Sequence, residues 1–105
     1  MRSREVERVF AEGRSFAGKR MVLWVAPGAG GTAFVAARRI GGAVERNRAR
    51  RMLRAAWREV TATIRDGYDV VLVARQGIRD ATIQDLVTEM TELIELFRRA
   101  ETSGR

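Results

Sequence analysis

Glu45-Arg46-Asn47-Arg48-Ala49-Arg50-Arg51-Met52-Leu53-Arg54-Ala55-Ala56-Trp57-Arg58-Glu59 is the stretch from which the rest of the chain can be read. At about 100° per residue, the spacing of an α-helix, its side chains sort into two faces. Ala49, Met52, Leu53, Ala56, Trp57, Val60 and Ile64 fall within an arc of about 140°, wide enough to rest on a core. Arg50, Arg51, Arg54, Arg58 and Arg65 occupy an adjoining arc of about 100°. The spacing predicts a helix from about Ala43–Arg46 to Arg65, ended by Asp66-Gly67. Residues 38–58 hold eight arginines against one acid, Glu45. A charged helix face is often nothing more than solvated surface, but such faces interleave acids at i+4. A stripe of one sign repels itself until an anion neutralises it, which points to a polyanion as partner.

The totals support that reading. With 105 residues the chain suits one domain, 1–105, with a core that needs no staples. A net charge of +7 and a pI near 11.4 favour nucleic acid or an anionic surface. The charge is unevenly spread: residues 1–60 carry 14 basic and 5 acidic side chains, residues 61–105 carry 6 and 8. The first part therefore meets the polyanion and the second builds scaffold. Cysteine and histidine are absent, which removes a disulfide framework, a thiolate or imidazole metal site and a histidine general base. No apolar run reaches signal-peptide or membrane-spanning length, so the expectation is a cytoplasmic protein without a membrane partner.

In chain order, residues 4–12 read as a short amphipathic helix with Val6, Val9 and Phe10 on one side and Gly13 as its stop. Arg14–Arg20 reads as a basic connector holding one aromatic, Phe16. Met21–Ala26 and Thr32–Ala37 are strand-like, and the flexible Pro27-Gly28-Ala29-Gly30-Gly31 between them suggests an antiparallel hairpin. Asp69–Ala74 is a continuous apolar strand of the kind buried on both faces. Thr82 with Asp85 forms a capping-box variant that opens a last helix. Ile83, Leu86, Val87, Met90, Leu93, Ile94 and Phe97 are its core face, Glu89, Glu92 and Glu95 its acidic one. Glu101–Arg105 is expected to fray. The order helix, strands, helix, strand, helix implies an α+β fold, a small sheet covered by three helices.

Gly28, Gly30 and Ala33 match a dinucleotide-binding fingerprint, but a β-rich run follows where that fingerprint needs a helix, and no acid stands about 20 positions on. No small-molecule cofactor is expected. Catalysis by the chain alone is not expected either. Ser15, Ser103 and the threonines have no base beside them, and the clustered carboxylates read as a solubilising face. Arginine forks, by contrast, match phosphate oxygens and stack on bases. Phe10 and Phe16, close to Arg14, Lys19 and Arg20, offer either core packing or a surface on which unpaired bases stack.

Arg39-Ile40-Gly41-Gly42-Ala43-Val44-Glu45-Arg46-Asn47-Arg48-Ala49-Arg50-Arg51-Met52-Leu53-Arg54 strongly resembles the signature of the bacterial ribonuclease P protein family. That signature has two basic residues, Ile-Gly-Asn-Ala-Val, one variable residue, then Arg-Asn-Arg and a basic–hydrophobic helix. Val9-Phe10 with Gly13-Arg14-Ser15, and Tyr68–Arg75, are similar to the family's first helix with its exit and to its last strand. Departures are Val6 where a second aromatic is common, Ala36 for a serine, Gly42 for an asparagine and Gln76 for a lysine.

The resemblance implies a mixed sheet and three helices like domain 2 of ribosomal protein S5, with a left-handed βαβ crossover, against the usual right-handed rule. It implies a subunit of an endoribonuclease holoenzyme that removes 5′ leaders from precursor tRNA, its chemistry belonging to a catalytic RNA and Mg²⁺. The ribonuclease P RNA would be held by Arg38, Arg39, Arg46, Asn47, Arg48, Arg50, Arg51, Arg54 and Arg58. The precursor tRNA 5′ leader would lie in a cleft formed by Phe10, Arg14, Phe16, Lys19, Arg20, Val22 and Trp24. No catalytic or metal-ligating residue is expected on the protein. Two rivals stay open: a ribosomal or DNA-binding protein using the arginine helix in a major groove, and a nuclease acting alone.

Overall fold

The computed structural model describes residues 1–64 and 66–103. These fold in the order α1 (Ser3–Glu12), β1 (Arg14–Ala17), β2 (Met21–Pro27), β3 (Thr32–Val35), α2 (Ala43–Glu59), β4 (Tyr68–Ala74) and α3 (Ile83–Ser103), with short 3₁₀ turns at Arg38–Ile40 and Gln76–Asp80. Val70-Val71-Leu72 is buried, and Val73 half-buried, because β4 has a strand on each side and a helical layer on each face. The sheet order is β1-β2-β4-β3. β4 runs antiparallel to β2, with Val25 opposite Val70 and Leu23 opposite Leu72, and parallel to β3, with Thr32 beside Val70.

The expected hairpin between β2 and β3 therefore does not form. A strand that is apolar on both faces is most stable with two neighbours, and β4 takes the place between them. β3 and β4 are parallel neighbours joined through α2, a βαβ crossover. The connector at Arg14–Ala17 is an edge strand, antiparallel to β2.

The sheet separates two packing layers. On one face Met21, Leu23, Val25, Val70 and Leu72 meet Ala49, Leu53 and Ala56 of α2 and Leu86, Met90, Leu93, Ile94 and Phe97 of α3. On the other, Val9 of α1 packs on Ala26 and Val71, flanked by Val6, Trp24, Ala33, Val35 and Val73.

α2 ends six residues before the expected Arg65. Val60, the residue that follows the helix, is extended (φ −67°, ψ 125°). Val60, Ala62 and Ile64 still pack on the core, now with Thr61 and Thr63 exposed between them. Val60-Thr61-Ala62-Thr63-Ile64 satisfies a period of two as well as a helical one, and its β-branched residues favour the extended form. Arg65 lies outside the described residues.

Gly13 ends α1 as expected, but by close approach. Its φ is −85°, and a Cβ there would stand 2.5 Å from the Val9 carbonyl oxygen and 2.8 Å from that of Val25. The cap of α3 forms: Thr82 N donates to Asp85 Oδ2 at 2.9 Å and Asp85 N to Thr82 Oγ1 at 3.1 Å. Those bonds to Thr82 hold the Asp85 carboxyl below its ordinary value. The helix continues through Ser103, past the expected start of fraying, and Tyr68 Oη donates to Glu101 Oε1 at 2.5 Å. Residues 104 and 105 lie outside the described residues.

Glu89 is not on the solvent face assigned to it. It is 6% exposed and accepts hydrogen bonds from the Arg20 and Met21 amides at 2.9 and 3.1 Å and from Arg20 Nη1 at 3.2 Å. Two backbone amides at the start of β2 need an acceptor there, and a carboxylate supplies it.

Candidate nucleic-acid interface

α2 is anchored by Ala49, Leu53 and Ala56, each at most 3% exposed. That anchorage fixes which side chains the helix turns outward. Arg48, Arg51, Arg54 and Arg58 are exposed, Arg46 and Arg50 half-buried, and Arg38 and Arg39 exposed on the 3₁₀ turn before the helix. Their contacts are neutral. Arg46 Nη1 donates to Gly41 O at 3.0 Å, and Arg48 Nη1 to Arg79 O at a long 3.4 Å. Arg50 bonds the Asn47 side chain, and the Arg54 guanidinium lies 5.3 Å from the centroid of the Phe34 ring. Among the described residues none of these arginines pairs with a carboxylate; the ion pairs found belong to Arg8, Arg20 and Arg98. Carbonyls, an amide and a ring orient Arg46, Arg48, Arg50 and Arg54, and among the described residues no carboxylate neutralises them.

Two loops adjoin this helix. Gly41 sits at φ +145°, a region that disfavours any side chain, and lets the chain turn from the 3₁₀ segment into α2. Gln76 Nε2 donates to Arg39 O at 3.1 Å, and Arg75 Nη1 to Gly18 O at 2.7 Å. The β1–β2, β3–α2 and β4–α3 connections thus meet at one end of the sheet, where Lys19, Arg38, Arg39, Arg75 and Arg79 are exposed. Arg79, unassigned from sequence, stands beside Arg48 through its own carbonyl.

The residues expected to form one cleft divide between the two faces of the sheet. Phe10 of α1 and Trp24 of β2 meet edge to face with ring centroids 5.2 Å apart; Phe10 is 37% exposed and Val22 half-buried. Phe16 is on the opposite side. It pairs with Leu23 in register and packs edge to face on Phe97 of α3, 6.0 Å between centroids. Alternation along β1 gives Arg14 the same side as Phe16. Arg20 turns to Glu89 of α3, and Lys19 borders the groove between the β1–β2 turn and α3. Phe10, Val22 and Trp24 thus share the α1 side, while Phe16, Arg14 and Arg20 belong to the α3 side. Ser15 and Ala17, which alternate with Phe16, are the β1 residues that share the α1 face.

The glycine turn is committed internally. Asp69, 3% exposed at the start of β4, accepts from the Gly30 and Gly31 amides at 2.9 and 2.8 Å and from the Arg8 guanidinium. The amides that a phosphate would need are held by the protein's own carboxylate. No group of three His, Cys, Asp or Glu side chains among the described residues converges to hold a metal ion. No helix among them is long and apolar enough to cross a membrane.

A family model described as Ribonuclease P matches residues 1–100. The chain belongs to the bacterial ribonuclease P protein family. It is 40% identical over 93 residues to the ribonuclease P protein component of Symbiobacterium thermophilum, covering 85% of this chain and 81% of that one. It is also 40% identical over 97 residues to that of Chloroflexus aurantiacus, covering 89% and 72%. The Staphylococcus aureus RNase P protein structure superposes with a TM-score of 0.76 at 19% identity, over 93% of each chain. The Thermotoga maritima RNase P protein gives a TM-score of 0.76 at 21% identity, over 91% of this chain and 94% of that one. The α+β arrangement of three helices and a four-stranded mixed sheet is thus the ribonuclease P protein fold, like domain 2 of ribosomal protein S5. The chain is the protein component of the ribonuclease P holoenzyme, the endoribonuclease that matures tRNA 5′ ends.

Proposed function

We propose that residues 1–105 act as one RNA-binding domain in the cytoplasm, docking on the ribonuclease P RNA through the arginine face of α2 and receiving the precursor tRNA leader on the α1 face of the sheet. The observation that carries the docking assignment is the row of guanidinium groups on α2, turned outward with no carboxylate partner among the described residues. Bound phosphates would relieve their mutual repulsion, and each arginine can grip a phosphate by two parallel hydrogen bonds. The leader assignment rests on Phe10, which is partly exposed and braced at its edge by Trp24. A ring held in that way offers a face to an unpaired base, and such stacking is tolerant of sequence. Between two RNAs the protein's cations would screen phosphate repulsion. Bond cleavage, and the Mg²⁺ it uses, belong to the RNA in this reading, and no chemical step is assigned to a side chain.

Reconstitution tests it. The chain is mixed with a bacterial ribonuclease P RNA and precursor tRNA at low Mg²⁺, and leader removal is followed with and without the RNA subunit. Cleavage that rises only when both are present supports the proposal. Turnover without added RNA would favour an independent nuclease, and tighter binding to duplex DNA than to structured RNA would favour a groove-reading helix. Arg46→Ala with Arg48→Ala is expected to weaken RNA binding while the fold persists.

A further inference from the structure

Asp69 is a charged side chain in the buried central strand, and its bonds reach two other segments, the glycine turn and α1. Oδ1 accepts from the Gly30 and Gly31 amides, while Oδ2 accepts from Arg8 Nη2. Arg8 Nη1 donates to Pro27 O at 2.9 Å and lies 3.6 Å from Glu12 Oε1. One guanidinium therefore links α1 to the end of β2 and the start of β4. The remaining attachment of α1 is apolar, centred on Val9, which is fully buried. Apolar contact is non-directional and leaves a short helix free to roll. A buried ion pair adds little net stability over an apolar pair of similar volume. A planar fork with two acceptors adds direction.

We propose that the Arg8–Asp69 pair is a positioning device that fixes the roll of α1 on the sheet and so sets the attitude of the Phe10 ring against Trp24. The inference rests on the leader reading given above. Neither Arg8 nor Asp69 is assigned a contact with RNA; they act through the helix that carries Phe10, two residues beyond Arg8.

The variants Asp69→Asn, Arg8→Met and their combination test it, with Phe10→Ala as control. Asn keeps an oxygen for the Gly30 and Gly31 amides and removes the charge; Met keeps the aliphatic stem and removes the fork. Each is assembled with a bacterial ribonuclease P RNA, and affinities are measured for precursor tRNA with its leader and for mature tRNA. The ratio of the two is expected to fall about fivefold in each single variant, the low end of what one base–aromatic stack contributes. The double variant should lose no more than either single one, and affinity for the ribonuclease P RNA should stay unchanged. Where Arg8→Met fails to fold, Arg8→Lys keeps the charge without the fork and is expected to fold and still lose most of the leader dependence. An unchanged ratio in the pair variants, with a reduced one in Phe10→Ala, would leave the pair a purely structural element and overturn the inference. An unchanged ratio in Phe10→Ala would instead overturn the leader reading, and the inference with it.

Discussion

Arg54 holds its guanidinium 5.3 Å from the centroid of the Phe34 ring, so the one β3 aromatic sits under the basic face of α2. Such a contact orients a cation without neutralising it. Phe34→Leu is therefore expected to keep the core filled, with a stability change below about 1.5 kcal/mol. Arg54 should lose its preferred orientation, and RNA affinity should fall by less than in Arg54→Ala. Thermal melting and filter binding of the two variants check this.

Arg51 and Arg58 lie about two turns apart on α2, exposed and bonded to nothing among the described residues. Arg51→Ala with Arg58→Ala should leave the melting temperature unchanged. If each grips one phosphate, the slope of log affinity against log salt becomes shallower by about 0.7–0.9 for each arginine removed. A titration of the ribonuclease P RNA over a range of salt concentrations reads that slope directly.

Phe10 and Phe16 should fail in different ways. Phe16→Ala removes a half-buried ring from its contact with Phe97 and is expected to cost about 2 kcal/mol, less than the ~3–5 kcal/mol for a fully buried phenylalanine. Phe10→Ala should cost less stability and reduce the preference for tRNA that carries a leader. Denaturant melts and paired tRNA affinities separate the two outcomes.

Gly41→Ala is expected to destabilise the chain by about 2 kcal/mol or more, since positive φ is strained for any side chain. A Cβ there would also stand 2.9 Å from Glu45 Cβ. Gly30→Ala shares the positive φ, +102°, but meets nothing within 4 Å, so its cost should be the backbone part alone. Melting temperatures rank the two.

The cap of α3 makes a pH prediction. The Asp85 carboxyl is held below its ordinary 3.8 by the Thr82 backbone and side-chain hydrogen bonds. A carboxylate with a depressed folded value stabilises the fold above its unfolded value, and that contribution disappears as pH falls through the folded one. Asp85→Asn should therefore melt below the parent at neutral pH, with the gap narrowing as the solution is acidified past that range. Melting curves from pH 7 to pH 2 show whether the gap closes.

The elements that build the candidate interface were legible because their signals are local. Arg50, Arg51, Arg54 and Arg58 declare one face of a helix by spacing alone, and Val70-Val71-Leu72-Val73 declares a strand with neighbours on both sides. Thr82 and Asp85 mark a helix start within four residues. What escaped depends on partners distant in sequence. The turn at Pro27–Gly31 looks like a hairpin until β4 competes for both strands. Phe16 looks like a partner of Trp24 until the β1–β2 register sets it opposite Leu23. Glu89 looks solvent-facing, and Asp69 passes for the first residue of an apolar strand, because sequence displays the acid and not the amides of another segment that it must satisfy. Val60–Ile64 fits two periodicities, and only packing chooses between them.

The sheet that parts α1 from α2 also acts as a ruler. If RNA is gripped on the outer side of α2 and on the α1 face, one wall of β-structure stands between the two grips, and layers of this kind pack at roughly 10 Å. Neither grip can approach the other without repacking the interior. The spacing between a docked RNA and a held strand is then set by the thickness of the protein core, unaltered by loop length or salt.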